Sequence, residues 1–428
     1  MYWNDGGQIV PPHDANIIRE VKAVSFEIQT MELEDASAEG LLYRIDSEVD
    51  DAFVAMVKRY CLRKELMEKR GRELSVVYTP LHGTGTMLVE RVLTELGIPL
   101  FTVPEQREPD GNFPTAPFPN PEIPEALSLS LMHGKKRKAD LVMGTDPDAD
   151  RLGIAVPDGD EFVLITGNQL GALLCDYIFM TRKEFDNLPE KPVFVKTIVT
   201  SALEAKIAAS YGAVTYDVLT GFKYIAEKIR KFEDSGEGYV FGGEESYGYL
   251  VETETRDKDA VSAAAVTAEM TLYYRTKGLT LLDRLRKLYR IFGYYEEFQI
   301  SREFKGERGL KAMQDLIEGL RKKPPVRFGE YPVSEMKDYR DGSTLYVSTG
   351  RKEKDIFLPE SNVLQFLLEN GSVITVRPSG TEPKLKIYCS VKTPSGMDLS
   401  AAEETARIMS QAIRRDLDKI VDGFTGYE

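Results

Sequence analysis

Leu141-Val142-Met143-Gly144-Thr145-Asp146-Pro147-Asp148-Ala149-Asp150-Arg151-Leu152-Gly153-Ile154-Ala155-Val156 places an acidic loop between two apolar runs. The runs are short and flank turn-forming residues, so the stretch reads as strand, loop, strand. Three carboxylates alternate along the loop and an arginine follows the last. Packing three anions so closely is unfavourable unless a cation neutralises them. The fitting cation is hard and divalent, such as Mg²⁺, which takes oxygen ligands and leaves positions open for a substrate phosphate. The loop therefore suggests phosphoryl chemistry. A solvated turn is the competing reading, because Asp favours turns for its own backbone reasons. A phosphatase with an aspartyl nucleophile also places Asp-x-Asp after an apolar strand. An EF-hand needs Gly at the sixth loop position and Glu at the twelfth, where this chain has Arg151 and Pro157.

Outward from the loop, strands and helices alternate. Upstream come a strand at 74–78, a helix at 86–96 closed by Gly97, and a strand at 100–103. Asp158-Gly159 reads as a hairpin turn, and a helix follows at 168–180. Such alternation predicts an α/β unit with a mostly parallel sheet. The segment 108–124 holds six prolines and must be an irregular extended loop. Further upstream a helix is expected at 14–23, and another over 48–67. The second carries an apolar stripe of Val49, Phe53, Met56, Val57 and Tyr60. A polar, proline-bearing link at 183–192 reads as a boundary. Beyond it the pattern repeats, with strands at 193–198 and 213–218, helices at 201–210 and 224–232, and long helices at 259–274 and 281–291. The last part begins near Tyr295, with short strands between 343 and 391 and a final helix at 400–420.

The whole chain narrows the choice of function. Its 428 residues exceed one compact core, so about two to four domains are expected. A formal net charge of −14 argues against a nucleic-acid or anionic-membrane surface. No apolar run approaches the roughly 20 residues of a membrane span, and no signal peptide opens the sequence. Cys61, Cys175 and Cys389 are odd in number and far apart, which fits reduced thiols of a cytoplasmic protein. Three histidines leave little for a histidine-built metal centre.

Five other motifs could carry chemistry. Gly242-Gly243-Glu244-Glu245-Ser246-Tyr247-Gly248 follows an apolar strand, and its acids and hydroxyl suit sugar hydroxyls. Arg377-Pro378-Ser379-Gly380-Thr381-Glu382-Pro383-Lys384-Leu385-Lys386 follows another strand and offers a guanidinium fork, hydroxyls and backbone N–H groups to an anion. Lys223 opens a helix, where anions are favoured. Lys258, among acids in Arg256-Asp257-Lys258-Asp259, could move a proton if desolvated. The turn Tyr78-Thr79-Pro80-Leu81-His82-Gly83-Thr84-Gly85 looks like an anion-binding turn without a Walker pattern. Each has a plain alternative: an acidic loop, a surface hairpin, or a solvated lysine.

Taken in this order, these motifs resemble the α-D-phosphohexomutase superfamily, closest to phosphoglucomutases and phosphomannomutases, over nearly the whole chain. The resemblance implies an α/β multi-domain architecture around a central cleft. It would comprise a remnant of domain I at 1–70, α/β domain II with the acidic loop at 71–185, α/β domain III at 186–294, and a C-terminal α+β domain IV at 295–428. It implies Mg²⁺ bound by Asp146, Asp148 and Asp150, with Arg151 beside the transferring phosphoryl group. Glu244 and Ser246 would select sugar hydroxyls. Arg377, Ser379, Gly380, Thr381 and Lys386, with Lys223, would hold substrate phosphate. Lys258 and His82 are its proton-transfer candidates. The implied partner is a phosphorylated sugar, with glucose 1,6-bisphosphate as activator. The implied reaction converts glucose 1-phosphate to glucose 6-phosphate, with mannose and pentose phosphates as variants. Glu-Glu-Ser-Tyr-Gly is closer to the glucomutase version.

The chain departs from the family at one point. There a serine in a Thr-Ala-Ser-His-Asn-Pro stretch carries the phosphoryl group, and these 428 residues contain no such stretch. By resemblance it would lie shortly before Tyr2-Trp3-Asn4-Asp5-Gly6-Gly7-Gln8, so most of domain I is expected to be missing. The expectation is then a chain with no appreciable mutase activity of its own, and with the 48–67 helix stripe left partly exposed. A non-catalytic phosphosugar-binding protein and an aspartyl phosphatase are the alternatives. The sequence leaves oligomeric state open.

Overall fold

The computed structural model describes residues 1–25, 30–45, 47–379 and 383–425. The chain divides into two compact units, Met1–Val195 with Gly221–Leu281, and Lys196–Thr220 with Leu282–Glu428.

In the first unit, β1 (Val76–Thr79) is buried along its length. It pairs in parallel with β2 (Leu100–Thr102) on one side and β3 (Leu141–Thr145) on the other. β3 pairs antiparallel with β4 (Leu152–Asp158), and β4 with β5 (Glu161–Ile165), in the order β2-β1-β3-β4-β5. The sheet expected to be mostly parallel is therefore parallel on one side and antiparallel on the other. The reason is the acidic loop itself, which joins β3 to β4 with six residues, too few for a parallel crossover. The Asp158-Gly159 hairpin forms as the sequence suggests, with Gly159 at φ +66°.

Helices cover this sheet. The helix Gly167–Glu184 begins with a capping box between Thr166 and Gln169 and is buried over most of its length. The helix Ala260–Thr276 is mostly apolar and is buried from Ala260 to Tyr274, so it forms the spine of the unit. Helices Ser47–Tyr60 and Gly85–Glu95 pack against it. The expected continuous helix over 48–67 is broken into Ser47–Tyr60 and Lys64–Arg70. Glu269, on the spine helix, accepts the backbone N–H groups of Leu62 at 3.2 Å and Arg63 at 2.8 Å. These amides are then bonded outside the helical ladder, and the turn is fixed there. The stripe on this helix is largely covered within the unit: Met56 and Val57 are buried, Phe53 and Tyr60 are half-buried, and Val49 is exposed.

The helix His13–Ala23 forms as read but buries no residue. After β6 (Pro192–Thr197) and β7 (Val214–Val218), the chain returns to the first unit at Gly221, where the helix Phe222–Ser235 leads to β8 (Gly238–Gly243), which pairs antiparallel with the short β9 (Tyr249–Leu250). The glycine-rich loop is the connection between β8 and β9.

In the second unit, a sheet runs in the order β10 (Tyr295–Glu303), β17 (Lys384–Lys392), β16 (Val373–Pro378), β15 (Leu364–Leu368), β12 (Tyr331–Asp338), β13 (Ser343–Tyr346), β14 (Arg351–Lys354), with β11 (Arg327–Phe328) paired to β12. Helices Gly306–Lys322 and Leu399–Thr425 supply the other half of its core through Leu316, Leu320, Ile413 and Leu417 against Phe366, Ile374 and Leu385.

Candidate functional site

The acidic loop is shaped by its own backbone. Asp146 Oδ1 accepts the N–H groups of Asp150 at 3.0 Å and Arg151 at 2.9 Å, which curls the loop back on its first acid. Ala149 takes φ +56° at the apex. One oxygen each from Asp146, Asp148 and Asp150 lies within 4.8 Å of the others. Burial, then the charge of neighbouring Asp150, pushes the Asp146 carboxyl up to about 7. Three hard oxygen donors at this spacing, one of them costly to ionise without a neighbouring cation, fit a divalent cation.

The turn after β1 supports the loop from below. Gly83 sits so close to the Pro147 backbone that no side chain fits there. Thr84 donates to the Pro147 carbonyl from its backbone N at 2.8 Å and its hydroxyl at 3.1 Å. His82 is buried, with Nε2 2.8 Å from Thr115 Oγ1 and Nδ1 3.4 Å from the Glu108 carbonyl. Both ring nitrogens thus face the proline-rich segment.

Arg151 is held by a residue that sequence reasoning missed. Its Nη1 lies 2.8 Å from Glu122 Oε1, while Nε lies 3.7 Å from both Asp146 and Asp150. Glu122 lies near the end of the proline-rich segment, and Pro121 beside it packs on Gly153 of β4. The sequence signal was limited to its place in the proline-rich segment.

The glycine-rich loop is joined directly to the acidic one. Arg151 and Gly248 form an antiparallel bridge, and Leu152 N donates to Tyr247 O at 3.0 Å. Ala260 N, at the start of the spine helix, donates to Ala149 O at 3.1 Å. Glu244 is buried and its Oε1 accepts Gly221 N at 2.9 Å. Burial, then the charge of Glu245, pushes its carboxyl up to about 7. Ser246 is half-buried on the same loop. Lys258 Nζ stands 2.5 Å from Asp150 Oδ2 and 3.5 Å from Asp257. Burial alone would lower its pKa, but the Asp150 bond and the surrounding acids hold it above the ordinary lysine value.

The remaining expected residues lie elsewhere. Lys223 Nζ is 3.9 Å from Asp14 Oδ2, beside a shallow groove lined by Trp3 and His13. Arg377 and Lys386 are in the second unit, directly opposite each other on β16 and β17. Like charges in that position repel, which fits a place where an anion is held. Ser379 N donates to Lys384 O at 2.7 Å beside them. Gly380 and Thr381 lie outside the described residues.

Three comparisons bear on this geometry. Family models match residues 51–159 as phosphoglucomutase/phosphomannomutase alpha/beta/alpha domain II, 166–291 as domain III, and 329–406 as the C-terminal domain. A phosphoglucomutase of Staphylococcus saprophyticus is 33% identical over 92% of this chain and 70% of its own length. A human phosphopentomutase is 31% identical over 92% of this chain and 66% of its own. This chain thus spans about two thirds of those relatives. Parafusin, a phosphoglucomutase of Paramecium, shares the fold with a TM-score of 0.62 at 18% identity, over 88% of this chain and 63% of that one.

Proposed function

The chain belongs to the phosphoglucomutase/phosphomannomutase family, and on that premise we propose that its first unit carries the ion-binding and sugar-selecting part of a phosphoryl-transfer site for hexose phosphates. The observation that carries this reading is the convergence of Asp146, Asp148 and Asp150 on a loop whose Arg151 is bridged to Gly248 of the glycine-rich loop. A divalent ion such as Mg²⁺, held by the three carboxylates, would supply charge stabilisation to a transferring phosphoryl group. Arg151 would orient that group from beside the ligands, with its guanidinium steadied by Glu122.

Glu244 and Ser246 would bond to sugar hydroxyls. Lys258 is the better placed proton-transfer candidate, because both His82 nitrogens are engaged by Thr115 and Glu108. In the second unit, Arg377, Ser379 and Lys386, with Gly380 and Thr381, would grip the phosphate that does not transfer. Lys223 is a weaker candidate for the same task, given its approach to Asp14. Glucose phosphates are the first substrates to test, on the Glu-Glu-Ser-Tyr-Gly loop. Pentose phosphates come next, since one relative is named a phosphopentomutase.

A mutase needs a covalent carrier to split its reaction into two transfers. Metal and arginine stabilise a phosphoryl group but cannot store it. These 428 residues lack the Thr-Ala-Ser-His-Asn-Pro stretch, so by themselves they would bind hexose phosphate without isomerising it. Calorimetry with glucose 1-phosphate and Mg²⁺ tests the binding, and a coupled glucose 6-phosphate assay with glucose 1,6-bisphosphate added tests turnover. Binding without turnover above the protein-free control is expected. Turnover near that of a relative containing the serine stretch overturns the inactive reading, and the absence of binding overturns the phosphosugar site.

A further inference from the structure

The Asp150 carboxylate has two oxygens in different surroundings. Oδ2 is 2.5 Å from the Lys258 ammonium, and Oδ1 is 3.7 Å from Arg151 Nε. The Lys258 stem reaches Asp150 by crossing Gly248. A Cβ on Gly248 would stand 2.6 Å from Lys258 Cδ and 3.3 Å from its Cβ. Gly248 has no positive φ among the described backbone angles, so its lack of a side chain is explained by this crossing and not by backbone conformation. The stem is confined, since the side chain is only 14% exposed. The ammonium therefore passes the glycine-rich loop to reach Asp150 at 2.5 Å, with Asp257 farther off at 3.5 Å.

We infer that Lys258 and the divalent ion share Asp150, with Lys258 as a fixed counter-cation that weakens the ion's hold and Gly248 as the residue that lets it reach. This rests on the reading of Asp146, Asp148 and Asp150 as ion ligands. One consequence is electrostatic: Lys258 already offsets part of the carboxylate charge that would hold the ion, with Asp257 sharing its ammonium at 3.5 Å. A second consequence is exchange: an ion held by carboxylates already part-neutralised leaves more readily. Lys258 is on this view a positioning residue for the ion, whatever it does with protons.

The test is ion affinity alone, without substrate. Mn²⁺ binding is followed by electron paramagnetic resonance, with Mg²⁺ as competitor, for wild type, Lys258→Met, Lys258→Arg and Gly248→Ala. The Met variant should bind Mn²⁺ at least about threefold more tightly, since a full charge is removed within a few ångströms of the ligands. The Arg variant should stay close to wild type, because charge is retained. Gly248→Ala should move toward the Met variant while keeping Lys258. Circular dichroism and the unfolding midpoint report whether each variant folds. Equal or weaker binding by a folded Lys258→Met overturns the inference and leaves the ligand assignment standing. Failure of both wild type and Lys258→Met to bind Mn²⁺ overturns the ligand assignment and this inference with it.

Discussion

Tyr249 donates its phenolic hydrogen to the Gly167 carbonyl at 2.8 Å, tying β9 to the first turn of the helix Gly167–Glu184. Tyr249 is 1% exposed, so the lost bond leaves a buried acceptor short of one donor. Tyr249→Phe should lower stability by about 1 kcal/mol. Gly167→Ala should do worse, by roughly 2–3 kcal/mol, because its Cβ meets the Glu245 carbonyl and neither backbone can move cheaply. Urea unfolding checks both, and equal losses for the two variants would contradict the packing argument.

Gly83 predicts an effect at a distance from the ligands. Its added Cβ collides with the Pro147 backbone between Asp146 and Asp148. Gly83→Ala should therefore displace the acidic loop and weaken Mn²⁺ binding about 10-fold, as loss of a ligand's support commonly does. Thr84→Val, which removes only the hydroxyl bond to Pro147 O and keeps the backbone one, should weaken it less. Titration of Mn²⁺ into both variants decides the order.

Glu252 gives a pH dependence. It is 1% exposed, and burial pushes its carboxyl up to about 8, although the N–H groups of Thr255 and Glu254 oppose the shift. The folded state then binds the proton more tightly than the unfolded chain. Its contribution is fully present below the ordinary glutamate range and is lost as pH rises through about 8. Wild type should lose stability relative to Glu252→Gln between about pH 5 and 8, by about 1 kcal/mol per unit or less. Paired urea curves at pH 5, 6.5 and 8 test it, and a constant difference between the two proteins would refute the shift.

The acidic loop and the glycine-rich loop could be read from the sequence because their chemistry is local: acids, glycines and an arginine at fixed spacing between apolar runs. The alternation of strands and helices was legible for the same reason. Residues that depend on a distant partner were not. Nothing in Cys61-Leu62-Arg63 announces a helix break, because the acceptor is Glu269 on the spine helix. Glu122 shows no sign of its role, since Arg151 is 29 residues away in the chain. The side preference of the sheet was missed for a subtler reason. Alternating patterns suggest parallel strands, yet the length of the acidic loop forbids a crossover between β3 and β4.

Arg377 and Lys386 predict an anion effect in the second unit. Opposite each other on neighbouring strands, the two cations repel until an anion lies between them. At constant ionic strength, phosphate at some ten times its Kd should stabilise wild type by roughly 1–2 kcal/mol. Arg377→Ala and Lys386→Met should lose that gain. In chloride alone they should be no less stable than wild type. Thermal melts with phosphate against chloride separate a specific site from general screening.

Asp259 joins helix capping to the ion site. Its two carboxylate oxygens accept the N–H groups of Val261 at 2.9 Å and Ser262 at 3.0 Å, capping the spine helix. The next residue, Ala260, donates its N–H to Ala149 at the apex of the acidic loop. A frayed helix start would therefore release that apex. Asp259→Ala should lower stability by about 1–2 kcal/mol and also weaken Mn²⁺ binding, although Asp259 is not among the proposed ligands. Asp259→Asn keeps one acceptor and should fall between the two. If Mn²⁺ affinity stays at the wild-type value while Asp259→Ala loses stability, the helix start does not hold the loop, and the Ala260–Ala149 bond is incidental to the site.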